Sequence, residues 1–208
     1  MKLLIQSIRV TILWSIITGV IYEAVITGFA QVVFHHQAEG SLVMRDGKVI
    51  GSALLAQQFT GSNYFWPRPS SCSYGTGPTG IAASSGSNLG PTSGALQTNV
   101  NNNISAFISG NNLSTNTVVP VDMVYASASG LDPHISPEAA RLQVSRVAAA
   151  RGMKEDAVKN LVEQFVEPPQ WGFLGQERVN VLLLNVALDK LASDTKKAEL
   201  VVTAPSRG

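Results

Sequence analysis

The chain has 208 residues, the length of one domain or of one domain with an appendage. Fifteen Lys and Arg against fourteen Asp and Glu leave a formal net charge of +1, without the basic excess typical of a nucleic-acid-binding protein. The single cysteine, Cys72, excludes an intramolecular disulfide and a cysteine-based zinc finger, and no nucleic-acid partner is expected.

An apolar segment at residues 10–34 opens the chain and carries one formal charge, Glu23. A helix of about 25 residues reaches roughly 37 Å, which exceeds a hydrocarbon core of about 30 Å. Trp14 lies near one end, where an aromatic side chain suits the membrane interface. A cleaved signal peptide with Lys2 and Arg9 as its basic region is the alternative, but its apolar region normally covers about 7–15 residues. The longer segment favours a retained transmembrane helix.

The charges that flank this segment predict its orientation. Lys2, Arg9 and the amino terminus lie on one side, and no comparable basic cluster follows on the other. By the positive-inside rule, the N-terminus lies in the cytoplasm and the rest of the chain outside. The sequence therefore predicts a cytoplasmic end with a transmembrane helix at 1–36, an extracytoplasmic domain at 37–191 and a flexible tail at 192–208. A single-pass membrane protein is expected.

Glu23 is an unusual residue for the middle of a transmembrane helix. An ionised carboxylate at that depth costs about 2.5–3.5 kcal/mol on insertion scales. Either the acid is neutral and tolerated in lipid, or it faces a membrane partner, and both readings stay open. Trp14, Tyr22 and Glu23 are the residues of this segment expected to contact lipid or a partner helix.

Short strands and loops are predicted in the first half of the exported part. Asp46-Gly47 lies between β-prone runs and predicts a hairpin within 41–59. Four prolines within 66–94 predict a loop, because proline breaks a helix. Residues 118–125 are typical of a short strand.

Helices are predicted in the second half. Ser136-Pro137-Glu138 has the pattern of a helix start, and Gly152 is a typical residue just after a helix end. A second short helix is expected before Pro168-Pro169, and residues 178–185 are predicted as a strand that runs into a final turn at 187–189. The predicted fold class is therefore α+β, a loop-rich domain that follows a single N-terminal transmembrane helix.

Residues 49–131 contain only two formal charges, Arg68 and Asp122. Disorder would explain this, but the cluster Tyr64, Phe65 and Trp66 argues for local burial. Interface cores between proteins are depleted of charge in the same way. A surface largely covered by another protein is therefore favoured.

Two patterns invite a chemical interpretation. Gly75 to Gly80 satisfies G-x-G-x-x-G, but without the preceding strand and opening helix that nucleotide binding requires. Asp132 and His134 suggest a metal or general-base pair, yet two ligands within three residues do not make a site. They are expected to organise the turn before the capped helix. The alternative that remains is a membrane-anchored extracytoplasmic hydrolase that uses Asp132 and His134.

Seven ordered segments together are far more specific than any single motif. These segments are 51–59 (GSALLAQQF), 64–70 (YFWPRPS), 87–92 (SNLGPT), 121–122 (VD), 127–137 (SASGLDPHISP), 146–152 (RVAAARG) and 179–189 (VNVLLLNVALD). With them the chain, up to about residue 191, resembles the C subunit of the Kdp potassium-transporting P-type ATPase.

The resemblance implies a non-catalytic accessory subunit of a high-affinity potassium uptake pump, held by its N-terminal helix in the bacterial inner membrane with its domain in the periplasm. In that family a channel-like subunit binds potassium and a P-type subunit hydrolyses ATP, so ATP and K+ belong to the complex and no cofactor or metal is expected on this chain. The C subunit is described as a catalytic chaperone that raises the ATP affinity of the hydrolysing subunit. Under this reading the partner contacts are expected at Tyr64, Phe65, Trp66, Arg68, Ser87, Asn88, Leu89, Gly90, Ser129, Gly130, Leu131, Asp132 and His134.

Overall fold

The computed structural model describes residues 1–72 and 84–203, and only the helical backbone from residue 195 on. The Gly75 to Gly80 pattern lies outside the described residues. Two compact units divide between Ser52 and Ala53. The helices and strands together form a mixed α and β structure, as the sequence predicts. The first unit contains α1 (Lys2–Ile16), a π-helical segment (Ile17–Ile21), α2 (Tyr22–Val33), α3 (His35–Ala38), β1 (Leu42–Arg45) and β2 (Lys48–Ser52).

Residues Lys2–Val33 form one continuous helix of 32 residues that is long and apolar enough to cross a membrane. The rest of the chain buries none of α1 or α2. A helix of this length reaches roughly 48 Å, so it spans a bilayer core with residues to spare. The predicted N-terminal apolar helix is confirmed by its length and composition.

A π-helical turn at Ile17–Ile21 interrupts this helix, and the sequence did not indicate it. The Thr18 hydroxyl donates a hydrogen bond of 2.7 Å to the carbonyl oxygen of Trp14. Such a bond competes for a helical carbonyl and is a known cause of local helix distortion. Glu23 therefore lies directly after a turn of altered pitch, on α2.

The predicted hairpin is confirmed. Asp46 and Gly47 connect β1 to β2, and both have positive φ, 50° and 75°. Two consecutive left-handed residues define a type I′ turn, which matches the twist of the flanking strands. Asp and Gly are the residues that tolerate this backbone.

The second unit consists of helices packed around a small antiparallel sheet with strand order β3-β5-β4. His134 pairs with Asn180 and Val166 with Val179. The elements are α4 (Gly94–Gly110), α5 (Val121–Val124), β3 (His134–Ile135), α6 (Pro137–Arg151), α7 (Glu155–Gln164), β4 (Val166–Glu167), β5 (Arg178–Asn180) and α8 (Val181–Thr203). Buried side chains from α6, α7 and α8 form the core, among them Val147, Val162 and Leu188.

The caps of α6 are those that the sequence predicts. Ser136 Oγ accepts a hydrogen bond of 3.1 Å from the N–H of Ala139, and Pro137 occupies the first turn. Gly152 ends the helix in the left-handed conformation with φ of 65°. These caps satisfy backbone groups that the helix itself leaves unbonded.

One predicted strand is wrong and another is confirmed only at its start. Residues 118–125 contain the short helix α5 instead of a strand, and the strand predicted at 178–185 ends at Asn180, after which α8 begins. The side-chain oxygen of Asn180 accepts a hydrogen bond of 3.1 Å from the N–H of Leu183 and so caps α8. Val181, Leu184 and Leu188 then become buried on one face. A short apolar run fits a buried strand and a buried helix equally well, which explains the error.

The predicted turn at residues 187–189 and the predicted tail boundary at residue 192 both fall inside α8, which continues to Thr203. The predicted turn is therefore wrong. The asparagine-rich run at residues 99–103, for which the sequence predicts no element, lies in α4, which ends at Gly110.

Gly110 allows α4 to pack closely against Trp66, and this contact gives a first prediction. A Cβ at Gly110 would lie 2.5 Å from Cη2 of the Trp66 ring. The ring is held by a hydrogen bond of 2.9 Å from its Nε1 to the Gly61 carbonyl oxygen. We expect Gly110→Ala to lower the free energy of unfolding by about 1–3 kcal/mol through overpacking.

Gly94, at the other end of the same helix, is the matched control, because a Cβ there meets nothing within 4 Å. Gly94→Ala should be neutral or stabilise the protein by up to about 1 kcal/mol, since alanine favours helix. Thermal unfolding of both variants of the full chain in detergent measures the difference. Equal effects of the two substitutions would contradict the close packing.

Candidate partner-contact site

The backbone of Phe65 is bound by a side chain from α8. Phe65 N–H donates to Asn185 Oδ1 at 2.8 Å, and Asn185 Nδ2 donates to the Phe65 carbonyl at 2.9 Å. The Phe65 side chain is fully buried in the core. The amide of Asn185 thus satisfies both backbone groups of a buried loop residue, which would otherwise be costly to bury. Phe65 anchors the loop and is not presented at the surface of the chain.

The guanidinium of Arg146, on α6, binds the backbone of the loop that contains Phe65. It donates to the carbonyl oxygens of Ser62 at 2.5 Å and Tyr64 at 2.9 Å, and to Asn111 Oδ1 at 2.8 Å. Its Cζ lies 3.9 Å from the centre of the Trp66 ring. Burial lowers the pKa of Arg146 to about 10, so it remains charged at neutral pH. The cation is stabilised by neutral acceptors and by an aromatic face.

Gln143, one turn before Arg146 on α6, completes this attachment. Its Oε1 accepts hydrogen bonds from the N–H of Trp66 at 2.7 Å and from Arg146 Nη2 at 2.8 Å. Its Nε2 donates to the Trp66 carbonyl at 3.3 Å. Gln143 is fully buried, so these bonds replace the hydrogen bonds that its side-chain amide would make to water.

The side chain of Tyr64, whose carbonyl oxygen binds Arg146, contacts an ion pair. Arg151 Nη2 donates to Asp189 Oδ1 at 2.7 Å, and the Tyr64 hydroxyl donates to Asp189 Oδ2 at 3.3 Å. The Arg151 guanidinium also lies 4.8 Å from the centre of the Tyr64 ring. Tyr64 and Trp66 are half-buried, and each ring lies against an arginine side chain of α6.

Arg68, Asp132 and His134 form a second group of predicted residues that meet. Arg68 Nη1 donates to Asp132 Oδ2 at 2.6 Å, and the N–H of His134 donates to Asp132 Oδ1 at 3.0 Å. His134 Nδ1 lies 3.3 Å from Asp132 Oδ1. Burial raises the pKa of Asp132, but hydrogen bonds from His134 and Arg68 outweigh it and lower the pKa to about 2.

Asp132 therefore organises the turn before α6, as expected. Both of its oxygens are engaged, and a carboxylate with a pKa of about 2 is a weak base at neutral pH. Ser136 lies beside this group, but its Oγ donates to Asp122 at 3.0 Å and caps α6. These contacts describe a structural turn and give no support to the hydrolase alternative.

The turn at Ser129 to Leu131 is hydrogen-bonded to two other loops, those that contain Ala56 and Ser84. Leu131 accepts a hydrogen bond from the N–H of Ala56 at 3.0 Å, and Ser129 accepts one from Ser84 Oγ at 2.9 Å. Gly130 has a φ of 68°, and a Cβ there would collide with Cys72 Sγ. Glycine is therefore required both by the backbone conformation and by the space.

The segment from Ser87 to Gly90 is largely exposed. Ser87, Asn88 and Gly90 are exposed and Leu89 is half-buried. Asn88 has a φ of 52°, a conformation that asparagine tolerates. A Cβ at Gly86 would lie 2.9 Å from the carbonyl oxygen of Ala128, so this segment lies against the Ser129 turn. The three loops that contain the predicted contacts, at residues 64–68, 87–90 and 129–134, thus lie together.

The predicted residues of the apolar helix are placed within the first unit. Trp14 and Tyr22 each expose 58% of their surface, and Glu23 is exposed too. Among the described residues there is no group of three or more His, Cys, Asp or Glu that could hold a metal ion.

The sequence reasoning missed the turn between β4 and β5. Trp171, Phe173 and Leu174 are exposed there, between Pro168-Pro169 and Gly175. Two aromatic residues among glycines and prolines, with no periodicity, are a signal that could have identified an exposed apolar turn.

Asp132 also gives a prediction about acid stability. Its pKa falls from 3.8 to about 2 on folding, so the native state is stabilised above about pH 4, and this stabilisation is lost as the pH falls towards 2. After allowance for solvent screening, the contribution is roughly 1 kcal/mol. Asp132→Asn should lower stability at pH 7 and leave it nearly unchanged at pH 2.

Asp46→Asn is the matched control, because Asp46 has an exposed side chain and Asn also suits its turn. Chemical unfolding at a series of pH values between 2 and 7 measures both variants. If Asp132→Asn and Asp46→Asn show the same pH dependence, the assignment to Asp132 is wrong.

These features define a class of protein: an α+β domain that follows a membrane-length helix and whose loops are bound to its helices by buried polar side chains. The family described as "K+-transporting ATPase, c chain" (KdpC) matches residues 4–190. A potassium-transporting ATPase KdpC subunit of Geobacter metallireducens is 51% identical over 188 residues, 89% of this chain and 96% of its own length. Those of Geobacter sulfurreducens and Mycobacterium tuberculosis are 48% and 47% identical, over 92% and 90% of this chain and 99% and 98% of their own lengths.

The chain therefore belongs to the KdpC family. This confirms the resemblance seen in the sequence. It identifies an accessory subunit of a K+-transporting ATPase, and hence a protein with other Kdp subunits as its partners.

Proposed function

We propose that this chain assembles with a channel-like potassium-binding subunit and an ATP-hydrolysing P-type subunit, and stabilises the complex that they form. The observation that carries the proposal is the family match over residues 4–190, nearly the whole chain. ATP and K+ then act at the level of the complex, and ATP hydrolysis belongs to another chain. The contacts of Asp132 and Ser136, which serve the local fold, support a non-catalytic role.

The proposed orientation places the N-terminus in the cytoplasm and the domain in the periplasm, with the apolar helix in the inner membrane. Lys2 and Arg9, at the N-terminal end of the helix, support it. In this orientation the domain and the ATP lie on opposite sides of the membrane. A chaperone effect on ATP affinity would therefore pass through the complex, as a coupling between two distant sites.

The proposed contact surface is formed by the three loops that meet at the Ser129 turn. Its low formal charge resembles that of an interface core. Tyr64 and Trp66 offer half-buried aromatic rings, and Phe65 supports them from inside the core. The remaining members are Arg68, Ser87, Asn88, Leu89, Gly90, Ser129, Gly130, Leu131, Asp132 and His134.

The test is a pull-down from solubilised membranes with a C-terminal tag on the full chain, followed by identification of the companions by mass. We expect a P-type ATPase and a channel-like protein in a fixed ratio. ATP titration of the complex with and without this chain then measures the chaperone effect. Recovery of the chain alone, in gentle detergent and with the pump genes expressed, would refute the proposed assembly.

Glu23 gives a prediction within this proposal. If its carboxyl faces a partner helix, Glu23→Leu should weaken retention of the complex in detergent, because a polar contact in an apolar environment is lost. The readout is the amount of partner subunit recovered per tagged chain. Val25→Leu, two residues further along α2 and on another face of the helix, is the matched control. A neutral or stabilising effect of Glu23→Leu would identify the acid as lipid-facing.

A further inference from the structure

The connection between β4 and β5 is a tightly hydrogen-bonded turn, Pro168 to Gly175. Gln170 and Leu174 exchange two backbone hydrogen bonds, each of 2.9 Å, and the N–H of Gly172 donates to the Pro169 carbonyl at 2.9 Å. The turn therefore has a defined shape, with its backbone groups bonded to each other. A preorganised loop loses little conformational freedom when it binds.

The side chains at the tip of this turn are apolar and exposed. Trp171 exposes 78% of its surface, Phe173 73% and Leu174 45%. Trp171 also has a φ of 57°, in the left-handed region that bulky side chains rarely adopt. With so much of the ring in solvent, burial within the chain does little to offset this unfavourable backbone. The compensating contact is therefore expected outside the chain.

An apolar tip can enter a lipid bilayer or a pocket on another protein, and the charge around the tip distinguishes between the two. The eight residues from Pro168 to Gly175 carry no formal charge. At the base, Glu167 pairs with Arg178 at 3.0 Å, and Glu177 is exposed. Protein surfaces that bind anionic lipid carry Lys or Arg, because the lipid headgroups are negative. An exposed acid beside the tip disfavours lipid and favours a protein pocket with a basic rim.

The turn is also continuous with the contact surface proposed above. Leu174 and Gln170 line an open cleft of about 820 Å³ whose other wall contains Arg68, Asp132 and His134. A partner that lies on the cleft would meet the tip as well.

We propose that Trp171, Phe173 and Leu174 are the apolar anchor by which this domain docks into an apolar pocket with a basic rim on another subunit of the pump. The proposal rests on the proposed function, because it requires a partner subunit. Tryptophan is enriched among the few residues that dominate the binding energy of interfaces. The rim supplies a cation for Glu177, and the pocket covers the two aromatic rings.

The first test compares complexes assembled from full-length chains. Trp171→Asn tolerates the left-handed backbone, Phe173→Ser removes the second ring, and Val118→Ser is the matched control at a loop residue that is 88% exposed. We expect the two tip variants to bind the other subunits roughly tenfold or more weakly, with unchanged thermal unfolding. Unchanged binding of both tip variants, beside a wild-type complex that forms normally, would overturn the anchor and leave the proposed function standing. A wild-type chain that binds no pump subunit would overturn both.

The second test identifies what covers the tip without truncating it. A photo-cross-linking benzoylphenylalanine in place of Phe173 should form an adduct with another pump subunit in native membranes. An adduct with lipid alone would overturn the proposal in favour of the membrane surface. Glu177→Lys should weaken assembly more than Glu177→Gln, and more so at low salt, because exposed charges are screened as salt rises. An equal effect of the two changes would refute the basic rim.

Discussion

Replacing Arg146 with alanine is expected to lower the free energy of unfolding by about 3–5 kcal/mol. Its guanidinium satisfies the carbonyl oxygens of Ser62 and Tyr64 inside the protein and supports the Trp66 ring. Removing it leaves these acceptors without their donor and opens a cavity beneath the loop. Arg146→Lys should lie between alanine and wild type, since an ammonium cannot reproduce the planar fork of donors.

Unfolding of the full chain by guanidinium chloride in detergent, monitored by near-ultraviolet circular dichroism, measures this loss of stability. Arg178→Ala is the control, because the Arg178 side chain is 55% exposed and its ion pair with Glu167 lies at the surface. That variant should change stability by less than about 0.5 kcal/mol. An Arg146→Ala variant as stable as Arg178→Ala would mean that α6 does not hold the loop.

Phe65→Ala is expected to cost about 3–5 kcal/mol of stability, as for other large buried aromatic residues. The ring is fully buried beside residues of α6 and α8, so its removal leaves a cavity in the core. On a thermal melt of a unit of this size, the loss corresponds to roughly 10 °C. Partner binding should fall only as far as the folded population falls.

Phe173→Ala gives the opposite pattern and is therefore the matched control. Phe173 is 73% exposed, so its removal should change thermal unfolding little and weaken assembly instead. The two phenylalanines are compared in the same pull-down and the same melt. If Phe65→Ala retained full stability but lost its partners, Phe65 would be a direct contact and its burial in the core would be wrong.

Local signals in the sequence predict those elements whose ends are chemically marked. Asp46-Gly47 specifies the hairpin turn, and Ser136 with Gly152 specifies both ends of α6. Each signal depends on a few neighbouring residues, and the backbone conformations observed are those that the residue types prefer. The ordered segments that revealed the family are local in the same sense.

Elements that depend on distant residues were not predictable in this way. The run from Val181 fits a strand or a helix, and the choice depends on the core against which Leu184 and Leu188 pack. The loop at Phe65 is similar. Its aromatic residues signal importance, but only its contact with Asn185 shows that Phe65 faces inward.

The contact between Phe65 and Asn185 also bears on how the chain matures during synthesis. Asn185 lies 120 positions after Phe65. At about 5–20 residues per second, Asn185 is therefore synthesised roughly 6–24 s after the loop that contains Phe65. Throughout that interval the loop lacks the amide and the helix that bury it, whereas the apolar helix at Lys2–Val33 is complete from the start. Synthesis of the apolar helix therefore precedes completion of the domain, and a nascent chain that ends before Asn185 lacks the amide that satisfies the backbone of Phe65.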